Sequence, residues 1–110
     1  MTDMTFTLND LEKRVHDRAT ESADVSYTRK LLDKGVAQCA KKFGEEAIET
    51  VLAATGETRE RLISETADVL YHLLVVLKSR DVTLADVEAE LASRTARSGI
   101  EEKASRKGGN

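Results

Sequence analysis

The chain has 110 residues, a formal net charge of −3, no proline, one cysteine and 4% aromatic residues. That length bounds it to one domain with one modest core, and the charge argues against a protein that coats nucleic acid. The lone Cys39 excludes an intramolecular disulfide framework and fits a reducing cytoplasm. Abundant Ala, Leu, Glu, Lys and Arg without proline predict an all-α fold, a helical bundle of four to five helices. Residues 1–10 lack a basic run followed by an apolar core, so no signal peptide is expected. The longest apolar run, residues 69–77, contains His72 and is too short to span a bilayer, so no membrane partner is expected.

In chain order, Thr7-Leu8-Asn9-Asp10 has the form of a capping box, with Asp in place of the usual Glu or Gln. Leu8, Leu11, Val15 and Ala19 then recur at helical spacing and predict a first helix over residues 8–21. Residues 22–25 read as a loop. A helical run begins near Tyr27 and breaks or kinks at Gly35. The next helix spans about residues 36–54, with Gly56 placed as its left-handed C-terminal residue. Thr58 caps a helix over about residues 59–80, apolar around most of its circumference from Leu62 onward. Such a helix is normally buried among several others. Four short helices would struggle to cover it, so completion of the bundle by homodimerisation is expected. Thr83-Leu84-Ala85-Asp86 is another capping box and opens a last helix to about Ala96. Residues 1–97 form the domain, and residues 98–110 a tail whose last residues read as disordered.

Two acid clusters flank the turn at Thr55-Gly56-Glu57-Thr58. The first is Glu45-Glu46-Ala47-Ile48-Glu49 and the second Glu65-Thr66-Ala67-Asp68. On a wheel with Glu45 at zero, Glu49 falls at about 40° and Glu46 at about 100°, beside an apolar stripe of Val36, Phe43, Ala47 and Ala54 at about 160–200°. Glu65, Asp68 and His72 share a strip about 60° wide on the following helix. If the turn folds the helices back on each other, these carboxylates converge, and like charges gathered together repel unless a cation sits among them. Two readings stand side by side: a metal site at the helix seam, or solvated acidic faces paired with Lys41, Lys42 and Arg61. The oxygen-only donor set suits Mg²⁺ or Mn²⁺ and not zinc. His72 is either a supporting partner of Asp68 or a satisfied structural residue. Cys39 reads as core filler, and Tyr71 as an edge residue whose hydroxyl reaches water. No glycine-rich phosphate loop is present, so any nucleotide site must use helices, side chains and metal.

Four segments together resemble a known family. They are Ser26-Tyr27-Thr28-x-Lys30-Leu31-Leu32, Lys42-x-Gly44-Glu45-Glu46-Ala47-x-Glu49-Thr50, Glu65-x-Ala67-Asp68-x-Leu70-Tyr71-His72-Leu73-Leu74-Val75, and Ser98-Gly99-Ile100-Glu101-Glu102-Lys103-Ala104-Ser105-Arg106. Their order and spacing resemble the phosphoribosyl-ATP pyrophosphohydrolase family, within the all-α MazG-like superfamily of nucleotide pyrophosphohydrolases. The resemblance implies a cytoplasmic Mg²⁺-dependent hydrolase, with Mn²⁺ a possible substitute. It would convert phosphoribosyl-ATP to phosphoribosyl-AMP and pyrophosphate early in histidine biosynthesis, as a homodimer. It implies metal ligation by Glu46, Glu49, Glu65 and Asp68, and, less directly, a base or water-orienting role for Glu45. Lys30, Lys34, Lys42, Lys103 and Arg106 become candidate phosphate contacts, and Tyr27 and Thr28 candidate base or ribose contacts. Two rival readings remain: a house-cleaning nucleoside triphosphate pyrophosphohydrolase with the same chemistry, and a non-catalytic helical dimerisation module.

Overall fold

A computed structural model describes residues 5–95, which form five helices and no strand. These are α1 (Leu8–Ala19), α2 (Tyr27–Asp33), α3 (Val36–Gly56), α4 (Arg59–Ser79) and α5 (Leu84–Thr95). None of them is long and apolar enough to cross a membrane. The tail from Ser98, including Lys103 and Arg106, lies outside the described residues.

Capping side chains set where the helices begin. At α1 both bonds of the box form: Asp10 N donates to Thr7 Oγ1 at 3.1 Å, and Thr7 N donates to Asp10 Oδ2 at 3.0 Å. The same exchange joins Thr83 and Asp86 ahead of α5. Thr58 accepts from Arg61 N at 3.2 Å to start α4. Ser26 does more than cap α2. Its Oγ accepts from Arg29 N at 3.0 Å and donates to Arg18 O at 2.8 Å, while Arg29 Nη1 donates to Ala19 O at 2.9 Å. At the end of α1 the Arg18 carbonyl, which also accepts from Glu21 N at 3.2 Å, and the Ala19 carbonyl thus gain partners from the first turn of α2. α1 ends there at Ala19, the last residue of its apolar pattern and two short of the predicted range.

The predicted break at Gly35 is present. Gly35 is the N-cap of α3 at φ 96°, ψ 169°, a conformation that side chains other than glycine rarely adopt. The left-handed residue expected at Gly56 is not there. Gly56 is the last helical residue of α3, and the helix is closed by extended Glu57 (φ −123°, ψ −176°), whose N–H bonds Ala53 O at 3.2 Å. Only Glu57 and Thr58 separate the helices, so an extended pair feeds the Thr58 cap directly and no left-handed step is needed.

Val15, Leu31, Cys39, Leu74 and Val75 make the core, so α1 to α4 all contribute to it. Cys39 is core filler as expected, its Sγ donating to Leu31 O at 3.4 Å. No residue of α5 is buried. This helix is tied on by Leu84, which packs against the core and whose N–H donates to Glu12 Oε2 at 2.6 Å.

The antiparallel hairpin of α3 and α4 has the most extensive contact in the molecule. Its inner face on α3 differs from the wheel prediction. Buried Cys39 and Ala53 lie seven residues either side of Glu46, whereas Val36 and Ala54 are exposed. Phe43 and Ala47 of the predicted stripe are half-buried, as is Glu46, so the packed face takes in the middle of that stripe and the Cys39–Glu46–Ala53 line beside it. The opposite face of α3 leaves Ile48, Val51 and Leu52 more than half exposed, and Ile63 on α4 is likewise uncovered.

Candidate functional site

The hairpin seam gathers three carboxylates. Glu46 from α3 and Glu65 and Asp68 from α4 each offer an oxygen within 4.8 Å of the others. Glu65 is buried at 7% exposure, Glu46 is half-buried and Asp68 is exposed, so the group is closed at one end and open to solvent at the other. Glu46 reaches it because it sits on the packed stripe of α3. Glu65 and Asp68 reach it because three residues bring side chains onto one side of a helix. This donor set fits a hard divalent cation, being three oxygens with no nitrogen or sulfur.

Part of the alternative pairing is also present. Arg61 Nη2 donates to Glu65 Oε1 at 2.7 Å and Arg61 Nε to Glu57 Oε1 at 3.2 Å. The bond to Glu57 and the charge of Glu65 hold the guanidinium above its ordinary value, with a smaller contribution from Glu49. One positive charge therefore faces the carboxylate group and offsets only part of its repulsion. Glu49 is exposed and stands outside the close group. Glu45 is exposed and turned to Lys42, whose Nζ lies 3.4 Å from its Oε1. The hydrogen bond to Glu45, with charge effects from Tyr27, Glu45 and Glu46, raises the Lys42 ammonium above its usual value. Lys42 thus stands one turn before Glu46 on α3, with its charge favoured by both Glu45 and Glu46.

Tyr27 leaves half its surface exposed. Its ring stacks with Tyr71 at 6.4 Å and meets His72 edge-on at 6.2 Å. Buried Thr28 places Oγ1 2.6 Å from the Tyr71 hydroxyl. Tyr71 is half-buried at the edge of the bundle as expected, and α2 supplies its hydroxyl with a protein partner that the sequence did not signal. Burial pushes the Tyr71 phenol up, and the Thr28 hydrogen bond pulls it part of the way back. Lys30 and Lys34 are exposed on α2 and its C-cap.

His72 is one turn beyond Asp68, but its Nδ1 bonds the backbone carbonyl of Asp68 at 2.9 Å and not the carboxylate. A carbonyl only accepts, which puts the proton on Nδ1. Nε2 is buried and has no partner among the described residues. Sequence reasoning missed the Thr28–Tyr71 bond and the Arg29 clamp. The first joins residues 43 apart, for which no local pattern exists. The second was signalled only by Ser26 standing just before a helix.

Fold and site together define an all-α protein whose helical hairpin gathers three carboxylates at its seam. Residues 8–95 match the family model for phosphoribosyl-ATP pyrophosphohydrolase, and the chain belongs to that family. It is 64% identical over 102 residues to phosphoribosyl-ATP pyrophosphatase 1 of Rhodopseudomonas palustris, covering 93% of this chain and 95% of that protein. Against phosphoribosyl-ATP pyrophosphatase 1 of Bradyrhizobium diazoefficiens the identity is 59% over 102 residues, covering 93% and 96%. The phosphoribosyl-ATP pyrophosphatase of Azorhizobium caulinodans is 58% identical over 106 residues, covering 96% and 97%.

Proposed function

We propose that the protein hydrolyses phosphoribosyl-ATP to phosphoribosyl-AMP and pyrophosphate, an early step of histidine biosynthesis, as a Mg²⁺-dependent enzyme of the cytoplasm. The observation that carries this reading is the convergence of Glu46, Glu65 and Asp68 within 4.8 Å at a half-open seam in a member of this family. These three would hold the cation, with Glu49, three residues beyond Glu46 on α3, as a further ligand. When bound, Mg²⁺ (or Mn²⁺) supplies positive charge against the phosphate oxygens of the substrate.

The remaining work falls to the chain's own side chains. Glu45 accepts the proton of the attacking water or orients it, which requires it to let go of Lys42. Lys42, once released, and Lys30, Lys34, Lys103 and Arg106 draw in the phosphates. The exposed ring of Tyr27 and the Thr28 edge receive the purine or ribose. The active unit is a homodimer, a reading supported by the uncovered Ile48, Val51 and Leu52 on the outer face of α3.

A pyrophosphate-release assay on phosphoribosyl-ATP tests this proposal, run with Mg²⁺ and with excess chelator beside a panel of ordinary and damaged nucleoside triphosphates. Release that is metal-dependent and far faster with phosphoribosyl-ATP than with the panel is expected. Equal rates across the panel, or rates indifferent to chelator, would overturn the assignment.

A further inference from the structure

Beyond Tyr27, away from the carboxylate group, lies a cavity of about 350 Å³ walled by Leu11, Arg14, Arg18, Tyr27, Thr28 and Tyr71. That volume sits at the low end of the roughly 300–1,000 Å³ of small-molecule pockets, room for part of a nucleotide and not the whole of one. Its chemistry is anion-seeking. Arg14 and Arg18 stand one turn apart on α1 and both line it, and Ser26, Thr28 and Tyr71 also contribute to its wall.

Neither guanidinium is committed to a strong partner. Arg14 lies over the Phe6 ring at 6.0 Å and makes no ion pair with a carboxylate among the described residues. Arg18 pairs with Glu21 at 3.0 Å, but both side chains are well exposed, and such surface pairs are weak. A phosphate dianion offers two guanidiniums a stronger, forked interaction than one solvated carboxylate does. The positive charge of Arg18 already reaches the Tyr71 phenol across the cavity. Tyr27 stands between this cavity and the seam helices, since it lines the cavity and its ring meets those of Tyr71 and His72 on α4.

We propose that Arg14 and Arg18 form a second anion subsite, which takes the phosphomonoester of the phosphoribosyl group while the triphosphate lies at the Glu46–Glu65–Asp68 seam. The identity of this ligand rests on the reaction proposed above. A molecule with phosphate at both ends and a purine between them then spans Tyr27, with the purine against its exposed ring. The subsite distinguishes the substrate from an ordinary nucleoside triphosphate, which has nothing to place there.

Two measurements on the full chain test the subsite. Ribose 5-phosphate titrated into ¹⁵N-labelled protein is expected to shift the backbone amides of residues 14–18 and 26–28 saturably, and ribose is not. In Arg14→Gln and Arg18→Gln the affinity for ribose 5-phosphate falls about tenfold, the loss of one charge-assisted hydrogen bond. In turnover, Arg14→Gln raises KM for phosphoribosyl-ATP by about tenfold and leaves kcat within about twofold. Absence of saturable shifts with ribose 5-phosphate, or wild-type affinity retained in both variants, overturns the subsite. A wild-type chain that releases no pyrophosphate from phosphoribosyl-ATP overturns the reaction instead, and the titration still decides the subsite by itself.

Discussion

Replacing Asp68 by Asn separates the fold from the site, because it is expected to stabilise the metal-free protein while disabling it. Asp68 has two carboxylate neighbours, Glu46 and Glu65, with oxygens within 4.8 Å. Two unit charges at that separation repel by about 0.9 kcal/mol in bulk water, and by roughly half of that after screening at physiological salt. Removing one charge relieves two such pairs, about 1–2 kcal/mol, with the low end favoured because Arg61 already faces Glu65. Domains of this size shift their melting temperature by about 4–8 °C per kcal/mol, so D68N in chelator and low salt should melt at least about 4 °C above the wild type. With Mg²⁺ at about 100 times its dissociation constant, the wild type gains about 2.7 kcal/mol, and D68N loses most of that gain. The order of stability therefore inverts between chelator and Mg²⁺, read by scanning calorimetry or far-ultraviolet circular dichroism. D68N melting below the wild type in chelator, or gaining as much from Mg²⁺, would refute the crowding on which the site is built.

Gly35→Ala should destabilise by about 1–3 kcal/mol through backbone strain alone. An added Cβ meets nothing within 4 Å there, but the residue sits at φ +96°; the urea midpoint falls at unchanged m-value. Thr28→Val removes the 2.6 Å partner of the Tyr71 hydroxyl and should cost about 1–2 kcal/mol, measured by denaturant titration. Tyr71 keeps its proton to higher pH when folded than when unfolded, so above about pH 10 the unfolded chain binds fewer protons and stability falls as pH rises through the folded value. Without Thr28's hydrogen bond the Tyr71 phenol should ionise at still higher pH, visible in tyrosinate absorbance. Cys39 is sealed in the core with its thiol pushed up by burial, so thiol reagents should label it only as fast as the native structure opens.

Helix starts were legible because a cap is a local event. Thr7, Thr58 and Thr83 each precede a helix and each makes the bond expected of it, and Ser26 caps α2 in the same way ahead of the run read from Tyr27. Helix ends were less so. The end of α1, two residues short of the predicted range, gains partners from Ser26 and Arg29 of the next element, and the closure after Gly56 depends on how near the next cap stands. The acid clusters were legible as residue types at helical spacing, but not the side of α3 that faces α4. Counting apolar residues favoured Val36, Phe43, Ala47 and Ala54, of which Phe43 and Ala47 are half-buried, while the fully buried positions are the small pair Cys39 and Ala53 in line with Glu46. Within a hairpin the closeness of two backbones can outweigh the greasiness of a stripe. His72 likewise resists reading from sequence, since its spacing to Asp68 is the same whether it bonds the carboxylate or the carbonyl.

The two-residue joint at Glu57 and Thr58 works as a ruler. It lets α3 and α4 slide against each other very little, so the meeting of Glu46 with Glu65 and Asp68 is fixed by counting residues back from the joint on either side. One residue inserted into α3 between Glu46 and that joint would swing the Glu46 carboxylate by about 100° and move it about 1.5 Å along the axis. In this protein, chain length between the acids and the bend carries as much chemical information as the acids themselves. Surface substitutions along the hairpin should be borne lightly, and single-residue insertions or deletions within it should not.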